Sequence, residues 1–189
     1  MPAGQLRSPA RRSAAERNRD KILNVARAAF ADSGGEVSMA EISRRAGVGM
    51  ATLYRNFPGR RELLEALYAE EVDGICAAAG APGGPAPGAR LAAWLRGLFA
   101  FFASKQHIAA ELLKHTDGGD PVFGGGRARV IAAGQPLLAA AQHAGEARGD
   151  LTIEQVLDLI HAVATIDGDA GYVQPVLQAA LDGLRLRAS

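Results

Sequence analysis

Apolar residues recur along most of this chain at intervals of three and four positions, the spacing that places side chains on one face of an α-helix. A half-buried strand would instead alternate apolar and polar residues, and no convincing run of that kind occurs. Clusters of Gly and Pro, such as residues 80–88 and 116–126, separate the periodic segments. The pattern therefore predicts an all-α chain of about nine helices.

The N-terminal third predicts four helices with clear start and stop signals. Ser38 and Glu41 match the S-x-x-E capping box, in which each side chain satisfies a free backbone N–H at the start of a helix. Gly47 tolerates the left-handed conformation that ends a helix sharply, so a short third helix can follow at once. A break at Pro58 precedes a longer fourth helix with an apolar stripe. The predicted ranges are 20–32, 38–46, 50–56 and 60–79.

The rest of the chain predicts five helices. Thr152 and Gln155 form a second capping box, which marks the start of the penultimate helix. Pro136, two residues after Gly134, predicts a kink or break in the helix that contains it. The predicted ranges are 89–104, 106–115, 127–148, 152–167 and 172–187.

The composition is that of a soluble globular protein, because 48% of the 189 residues are hydrophobic and 22% are charged. The most apolar stretch, residues 91–103, contains Arg96 and is shorter than the roughly 20 residues of a membrane-spanning helix. Residues 1–15 carry arginines but no apolar segment like that of a secretory signal peptide. We therefore expect a cytoplasmic protein with no membrane partner.

Residues that could carry catalysis or hold a metal are sparse. Cys76 is the single cysteine, which excludes an internal disulfide, and the four histidines are scattered rather than spaced as metal ligands. Neither a Ser-His-Asp order nor a Gly-rich phosphate loop is visible in the sequence. We therefore expect no catalytic residue, no metal site and no cofactor.

The charged residues are distributed unevenly, although the formal net charge of the whole chain is only +1. Residues 1–65 contain 12 Lys and Arg against 7 Asp and Glu, a net charge of +5, and the remaining residues contain 9 against 13, a net charge of −4. A basic N-terminal segment ahead of an acidic body is the pattern expected of a head that meets nucleic-acid phosphates.

Residues 37–57, VSMAEISRRAGVGMATLYRNF, resemble the DNA-binding core of the TetR family of transcriptional regulators. Residues 60–66, RRELLEA, resemble the opening of the fourth helix in that family. Residues 144–150, AGEARGD, are similar to a segment that precedes the penultimate helix in many members. The resemblance is close over residues 20–75 and architectural beyond them.

Three positions depart from the pattern of the family. Gly49 stands where members often have Ser, Asn56 where they have His, and Arg60 near where they have Lys. The resemblance implies an N-terminal helix-turn-helix head followed by a helical body. We accordingly expect a disordered basic tail over residues 1–15, a DNA-binding head with its connecting helix over 16–79, and an effector-binding and dimerisation domain over 80–189.

The resemblance also implies roles for individual side chains of the head. Hydroxyl groups and helix N-termini suit phosphate contacts, and the outer face of the third helix enters the major groove in helix-turn-helix proteins. The expected phosphate contacts are Ser38, Thr52, Tyr54 and Arg60. The expected groove-facing residues are Met50, Ala51 and Arg55, with Asn56 beside them and Ala40 and Arg44 as further candidates. Whether the arginine-rich tail also touches DNA is left open.

In this family the last two helices pair with those of a second copy, and a DNA head this small needs such a copy to read two half-sites. The expected dimer interface consists of Leu157, Ile160, Ala164, Val176, Leu177, Ala180 and Leu184. Helical spacing fits an intramolecular core equally well, so that alternative stays open for each of these residues.

A sensor body should enclose a mostly apolar cavity with a few polar groups that orient a ligand. The candidate lining residues are Trp94, Phe101, Phe102, Leu112, His115 and Gln142. Ordinary core packing or a satisfied surface polar group is the alternative for each of them.

These features favour a DNA-binding regulator, either a repressor or an activator. A repressor would leave a palindromic operator when a small-molecule effector binds the body, and its partners would be double-stranded DNA, a second copy of the chain and that effector. The alternative is a helical protein-interaction module, or an enzyme, in which the helix-turn-helix is degenerate.

Overall fold

The computed structural model describes residues 9–32, 37–81, 86–113 and 121–185, and of these it describes the backbone alone for 9–14, 31–32, 104–113 and 121–122. Every regular element in the described ranges is an α-helix, as predicted. The eight helices of these ranges are α1 (Pro9–Asp32), α2 (Met39–Ala46), α3 (Met50–Asn56), α4 (Arg60–Ala79), α5 (Pro87–Leu113), α6 (Pro121–His143), α7 (Ile153–Ala164) and α8 (Ala170–Gly183).

The chain divides into two compact units, and the divisions fall within α4 and near the end of α5. The first unit comprises Met1–Tyr68 with His107–His115, and the second comprises Ala69–Gln106 with Thr116–Ser189. In the described ranges, no helix has both the length and the apolar character needed to cross a membrane.

The first unit contains α1, α2 and α3, which bury the apolar faces that the periodicity predicts. α3 has only seven residues and is too short to be stable alone. Burial of Leu53 and Phe57 contributes about 1.5–3 kcal/mol for each side chain and holds α3 against its neighbours. The core residues of these three helices and the turn after them, each at most 2% exposed, are Ile22, Leu23, Ala26, Ala29, Phe30, Ile42, Ala46, Leu53 and Phe57.

The helix α1 begins at Pro9, well before the predicted start at residue 20, so residues 9–15 are helical where a disordered tail was predicted. Pro is favoured in the first turn of a helix, and residues 10–19, ARRSAAERNR, consist mostly of strong helix formers without Gly or Pro. Residues 1–8 of the predicted tail lie outside the described residues.

The helix count is one lower than predicted because α5 continues through residues 104–106, where the sequence analysis placed a boundary. Those residues are Ser-Lys-Gln, which contain no Gly or Pro to end a helix. The helix α6 begins at Pro121, inside the predicted loop, and does not break at Pro136. It ends at His143 rather than at residue 148 because Gly145 adopts a left-handed conformation, with φ of 68°.

The helices of the second unit pack their apolar faces together, and α7 packs against α6 and α8. The predicted capping box at the start of α7 is confirmed, since Gln155 N–H donates to the Thr152 hydroxyl and Thr152 N–H donates to Gln155 Oε1. The largest buried residues of this core, each at most 7% exposed, are Leu91, Trp94, Leu95, Leu98, Phe101, Leu137, Leu138, Ile153, Leu157, Ile160, Leu177 and Leu181.

The contact between α5 and α6 yields a prediction for Gly134. A methyl group at Gly134 would lie 2.5 Å from the Trp94 ring and 2.9 Å from Ile153, too close for atoms that are not bonded. We expect Gly134→Ala to lower the free energy of unfolding by about 1–3 kcal/mol, measured by urea titration. In the control Gly97→Ala, the exposed helical position has nothing within 4 Å, and stability should rise by about 0.5–1 kcal/mol. Equal stability of Gly134→Ala and the wild type would contradict this packing.

Candidate nucleic-acid interface

The reversal between α2 and α3 is closed by backbone and side-chain hydrogen bonds around Gly47. Gly47 has φ of 59°, its N–H donates to Arg44 O at 3.2 Å, and Val48 N–H donates to Ser43 O at 3.1 Å. This pair of bonds is the Schellman arrangement, which satisfies the carbonyl groups left free at the end of a helix. The sequence prediction of a left-handed turn at Gly47 is therefore confirmed.

Ser43 strengthens the same reversal and was not singled out in the sequence. Its side chain is 4% exposed, and its hydroxyl donates to Val48 O at 2.6 Å. A hydroxyl group buried in this way is stable only because it has a partner. The available signal was a serine next to Ile42 on the inward face of α2, a position that usually carries an apolar residue.

The start of α2 forms only half of the predicted capping box. The Ser38 hydroxyl accepts from Glu41 N–H at 3.1 Å, as expected of an N-cap residue. The Glu41 carboxylate does not complete the box, because it accepts from Arg44 at 2.6 and 2.8 Å and from Arg45 at 2.7 Å. Ser38 is exposed, so its hydroxyl hydrogen remains available to a phosphate oxygen.

The two arginines determine the ionisation of Glu41. Hydrogen bonds from Arg44 and then Arg45 lower the pKa of the Glu41 carboxyl from 4.5 to about 2, and the same pairing raises the pKa of Arg44. These side chains lie on the surface, so the ion pairs contribute little to stability and are weakened by salt. They fix the direction of two guanidinium groups on α2.

The outer face of α3 is left free by its packing. Leu53 is the buried residue of this helix, whereas Met50 is 38% exposed, Tyr54 is 46% exposed, and Ala51 and Arg55 are exposed as well. The helix begins at Gly49, which has no side chain to cap the free N–H groups, and the Gly49 carbonyl accepts from Thr52 and Leu53. The structure therefore brings the predicted groove-facing residues onto one accessible surface.

Thr52 and Asn56 hold the end of α3. Asn56 Nδ2 donates to Thr52 O at 2.8 Å, and Arg55 donates to the Thr52 hydroxyl at 3.0 Å. The guanidinium of Arg19, on α1, lies 4.6 Å from the centre of the Phe57 ring and donates to Asn56 O at 3.5 Å. The side-chain amide of Asn56 is thus used within the head, which the sequence analysis did not predict.

Arg60 also makes contacts within the head, and its phosphate contact stays a prediction. Its guanidinium lies 5.0 Å from the centre of the Phe30 ring and donates to Val37 O, which ties the start of α4 to α1 and to the segment before α2. Arginine can make both contacts at once because its guanidinium is planar and carries several donors. No local pattern indicated these contacts, since Val37 and Arg60 are distant along the chain.

Four of the six predicted ligand residues have side chains that the structure describes, and each of these four makes a contact within the body. Trp94 and Phe101 are buried core residues, and the Trp94 N–H donates to Ile75 O at 3.0 Å. Gln142 donates to the carbonyl groups of Arg148 and Leu151, so its amide holds the following turn. The Phe102 ring packs edge-on against His161 with centres 5.0 Å apart. The Leu112 side chain and the whole of His115 lie outside the described residues.

Cavities in the second unit lie elsewhere. One of about 310 Å³ lies between the start of α5 and the end of α8, and one of about 330 Å³ lies beside the turn between α7 and α8. Neither is lined by any of the four predicted ligand residues whose side chains the structure describes. The burial of Trp94 and Phe101 agrees with the alternative of ordinary core packing for these two, and the ligand contacts stay a prediction.

The predicted dimer residues fall into two groups. Leu157, Ile160, Ala164, Leu177 and Leu184 are each at most 6% exposed within a single chain, so they have almost no surface left for a partner. For these five, burial within one chain favours the alternative of an intramolecular core. Val176 is 37% exposed and Ala180 is half-buried, so these two remain candidates for an interface.

A helix-turn-helix with a free third helix, carried in front of a helical body, defines a class of DNA-binding proteins. Comparisons with known proteins indicate the same class of protein. Residues 22–67 match the family described as bacterial regulatory proteins of the tetR family, and residues 86–186 match the C-terminal domain of SbtR-like transcriptional regulators. None of the curated proteins matches the chain.

Solved structures give the same result. The TetR transcriptional regulator SCO0520 from Streptomyces coelicolor is 33% identical, with a TM-score of 0.75 over 90% of this chain and 99% of that one. The TetR regulatory protein from Mycobacterium vanbaalenii is also 33% identical, with a TM-score of 0.72 over 93% and 99%. Salmonella enterica GusR, 19% identical with a TM-score of 0.64 over 96% and 99%, shares the fold.

The chain therefore belongs to the TetR family and is a DNA-binding transcriptional regulator. Regulators of this family bind DNA as dimers and respond to effector ligands. The prediction made from the helix-turn-helix motif is confirmed, and the alternative of a degenerate head has no support.

The paired arginines predict how Glu41 titrates. Because its folded pKa is depressed, its contribution to stability is complete above pH 4.5 and is lost as the pH falls toward 2. We expect the Glu41 carboxyl signal in an NMR titration to have its midpoint near 2. In a double variant, Arg44→Gln with Arg45→Gln, the midpoint should return toward 4.5. A wild-type midpoint that already lies at 4.5 would show that the arginines do not hold this carboxylate.

Proposed function

We propose that the protein is a homodimeric repressor that binds a palindromic operator and leaves it when a small molecule occupies its body. The observation that carries the proposal is the placement of large apolar side chains on the surface. Among the described residues, they lie on α3 (Met50 and Tyr54) and on α7 and α8 (Leu159, Tyr172 and Val176). Exposed apolar groups of this size mark surfaces that contact another molecule.

The exposed surface of α3 suits DNA because it carries polar side chains that can contact phosphates and apolar side chains that can contact bases. Tyr54 presents a hydroxyl group beside the basic Arg55 and fits a phosphate contact that is independent of sequence. Met50 and Ala51, at the start of the helix, have no charge and fit apolar contact with base edges in the major groove. Ser38 adds a hydroxyl at the N-terminus of α2, where the backbone dipoles favour an anion.

The second surface suits a copy of the same chain. Tyr172 and Val176 are one turn apart on α8, and α7, which packs against α8, contributes Leu159. Ala180, one turn beyond Val176, extends the row with a small side chain. A two-fold interface of this kind would bring two heads onto half-sites one turn of DNA apart, about 34–36 Å, so the operator would be an inverted repeat.

Release by an effector follows if the ligand binds one conformation of the body more tightly than another. The body offers the 310 Å³ cavity between the start of α5 and the end of α8, a volume at the lower limit for small-molecule sites. The helix α4 is continuous from one unit into the other, and the Trp94 N–H of α5 donates to its Ile75 carbonyl. Because its target is operator DNA, we place the protein in the cytoplasm.

Repression can be measured once the operator is known. Sequences enriched from a random DNA pool by the full-length protein define the site, which is then placed between a promoter and a reporter gene. We expect lower reporter output when the protein is present. Higher output would identify an activator instead.

Two substitutions on α3 should distinguish the phosphate contacts that position the protein on DNA from the contacts that read the base sequence. Tyr54→Phe removes only the hydroxyl, so we expect weaker binding by a similar factor, about threefold to tenfold, on the operator and on its single-base variants. Met50→Ala should change the order of preference among those variants, because it alters a surface that faces bases. Binding is measured by gel shift at fixed salt. Unchanged affinity and unchanged preference in both proteins would exclude α3 as the reading helix.

A single charge on α8 should separate the dimer. Val176→Glu places a carboxylate on the proposed apolar interface, and we expect a monomer in sedimentation equilibrium and at least about a tenfold loss of operator affinity. The matched control is Gln135→Glu, which adds the same side chain at an exposed position of α6 and should remain dimeric. A dimeric Val176→Glu protein would place the interface elsewhere.

A further inference from the structure

Residues 144–150, AGEARGD, form the turn between α6 and α7 and fasten two distant helix ends. Gly88 N–H, in the first turn of α5, donates to Glu146 Oε2 at 2.6 Å. Arg148 holds the end of α8, because its N–H donates to Leu184 O at 2.9 Å and its guanidinium donates to Gly183 O at 3.4 Å. One turn therefore sets the separation between the start of α5 and the end of α8.

The 310 Å³ cavity lies in the space that this turn holds open. Its wall is largely apolar, with Leu91, Ala92 and Leu95 from α5 facing Leu181 and Leu184 from the end of α8. Glu146 is the carboxylate among the lining residues. A mostly apolar wall with a few polar groups, here Glu146 and Arg185, is the usual composition of a site for a small molecule.

Glu146 is held in place. It is half-buried, and a methyl group at Gly88 would lie 2.9 Å from its Oε2 and 3.0 Å from its Cβ, so glycine at that position allows the close approach. The hydrogen bond from Gly88 uses one carboxylate oxygen and leaves Oε1 as an acceptor. A ligand would therefore meet a positioned acceptor rather than a mobile side chain.

The charges around the cavity favour a cation. Arg185, which also lines it, lies 3.6 Å from Asp182, and Arg148 is paired with Asp150 at 2.6 Å. Glu146 has no ion-pair partner among the described residues. The C-terminal end of α8 adds partial negative charge at the same side. Among the side chains named here, Glu146 is the one without an oppositely charged partner, although the N–H groups at the start of α5 offset part of its charge.

We propose that this cavity binds a small molecule with an apolar body and a single protonated amine, the ammonium group donating to Glu146 Oε1. The inference rests on the proposed function in one respect, since it names the chemical class of the effector. The binding site itself is independent of whether the ligand releases DNA.

Three probes of matched shape test the charge preference, namely 4-phenylbutylamine, 4-phenylbutanol and 4-phenylbutanoate. We expect the amine to bind the full-length protein at least about tenfold more tightly than the alcohol or the acid, measured by calorimetry, and to raise the melting temperature with concentration. Glu146→Gln keeps an oxygen that can accept from Gly88 N–H but removes the charge, so the amine should lose about tenfold in affinity.

Two further variants keep the test decisive. Glu154→Gln removes a carboxylate from an exposed position on α7 and should leave amine binding unchanged. Ala92→Phe fills the cavity and should abolish binding of all three probes. Absence of amine binding, equal binding of the amine and the acid, or binding that survives Ala92→Phe would overturn the proposal.

The same samples separate this proposal from the proposed function. If the amine binds and Glu146→Gln weakens it, the site stands whatever happens to DNA. A gel shift with added amine then reports whether occupation of the cavity releases the operator. Binding without release would count against effector control through this cavity and leave the binding site intact.

Discussion

The reversal at Gly47 is the constraint on which the DNA-binding surface depends. A residue with φ of 59° ends α2, and the hydrogen bonds of Val48 and Ser43 close the turn, so α3 leaves at a set angle. With that angle established, Leu53 and Phe57 enter the core and the opposite face of α3 stays in solvent. A helix this short has no stability of its own, so the core contacts that the turn allows determine which face of α3 stays exposed.

The arginines of the head show that basic residues in a DNA-binding unit also make contacts within the protein. Arg19 lies on the Phe57 ring, Arg60 lies on the Phe30 ring and donates to Val37 O, and Arg44 is paired with Glu41. Their charge still contributes to the positive field that attracts DNA, since such a field acts over several ångströms. Each of these guanidinium groups keeps further N–H donors, since the contacts above use one or two of its five.

Local signals carried most of the correct sequence prediction. The N-cap at Ser38, the left-handed turn at Gly47 and the capping box of Thr152 each depend on residues within four positions of one another. Several contacts that were not predicted join residues farther apart along the chain. Gln142 had no visible reason to bind the following turn, Arg60 none to reach Val37, and helical spacing could not tell whether Leu157 faces its own chain or another.

The central claim is that the backbone conformation at Gly47 positions α3 for DNA, and two substitutions there test it directly. A Cβ added at Gly47 would have room, because its nearest neighbour is Lys21 Nζ at 3.6 Å. A comparison of two side chains at this position therefore tests the left-handed φ and not a steric clash. Asn tolerates the left-handed region, whereas a β-branched residue is strained there by at least about 1–2 kcal/mol. Operator affinity is measured by gel shift at a temperature where circular dichroism shows both proteins folded. The affinity should stay within about threefold of wild type for Gly47→Asn and fall at least about tenfold for Gly47→Val. Equal affinities for the two variants would contradict the account.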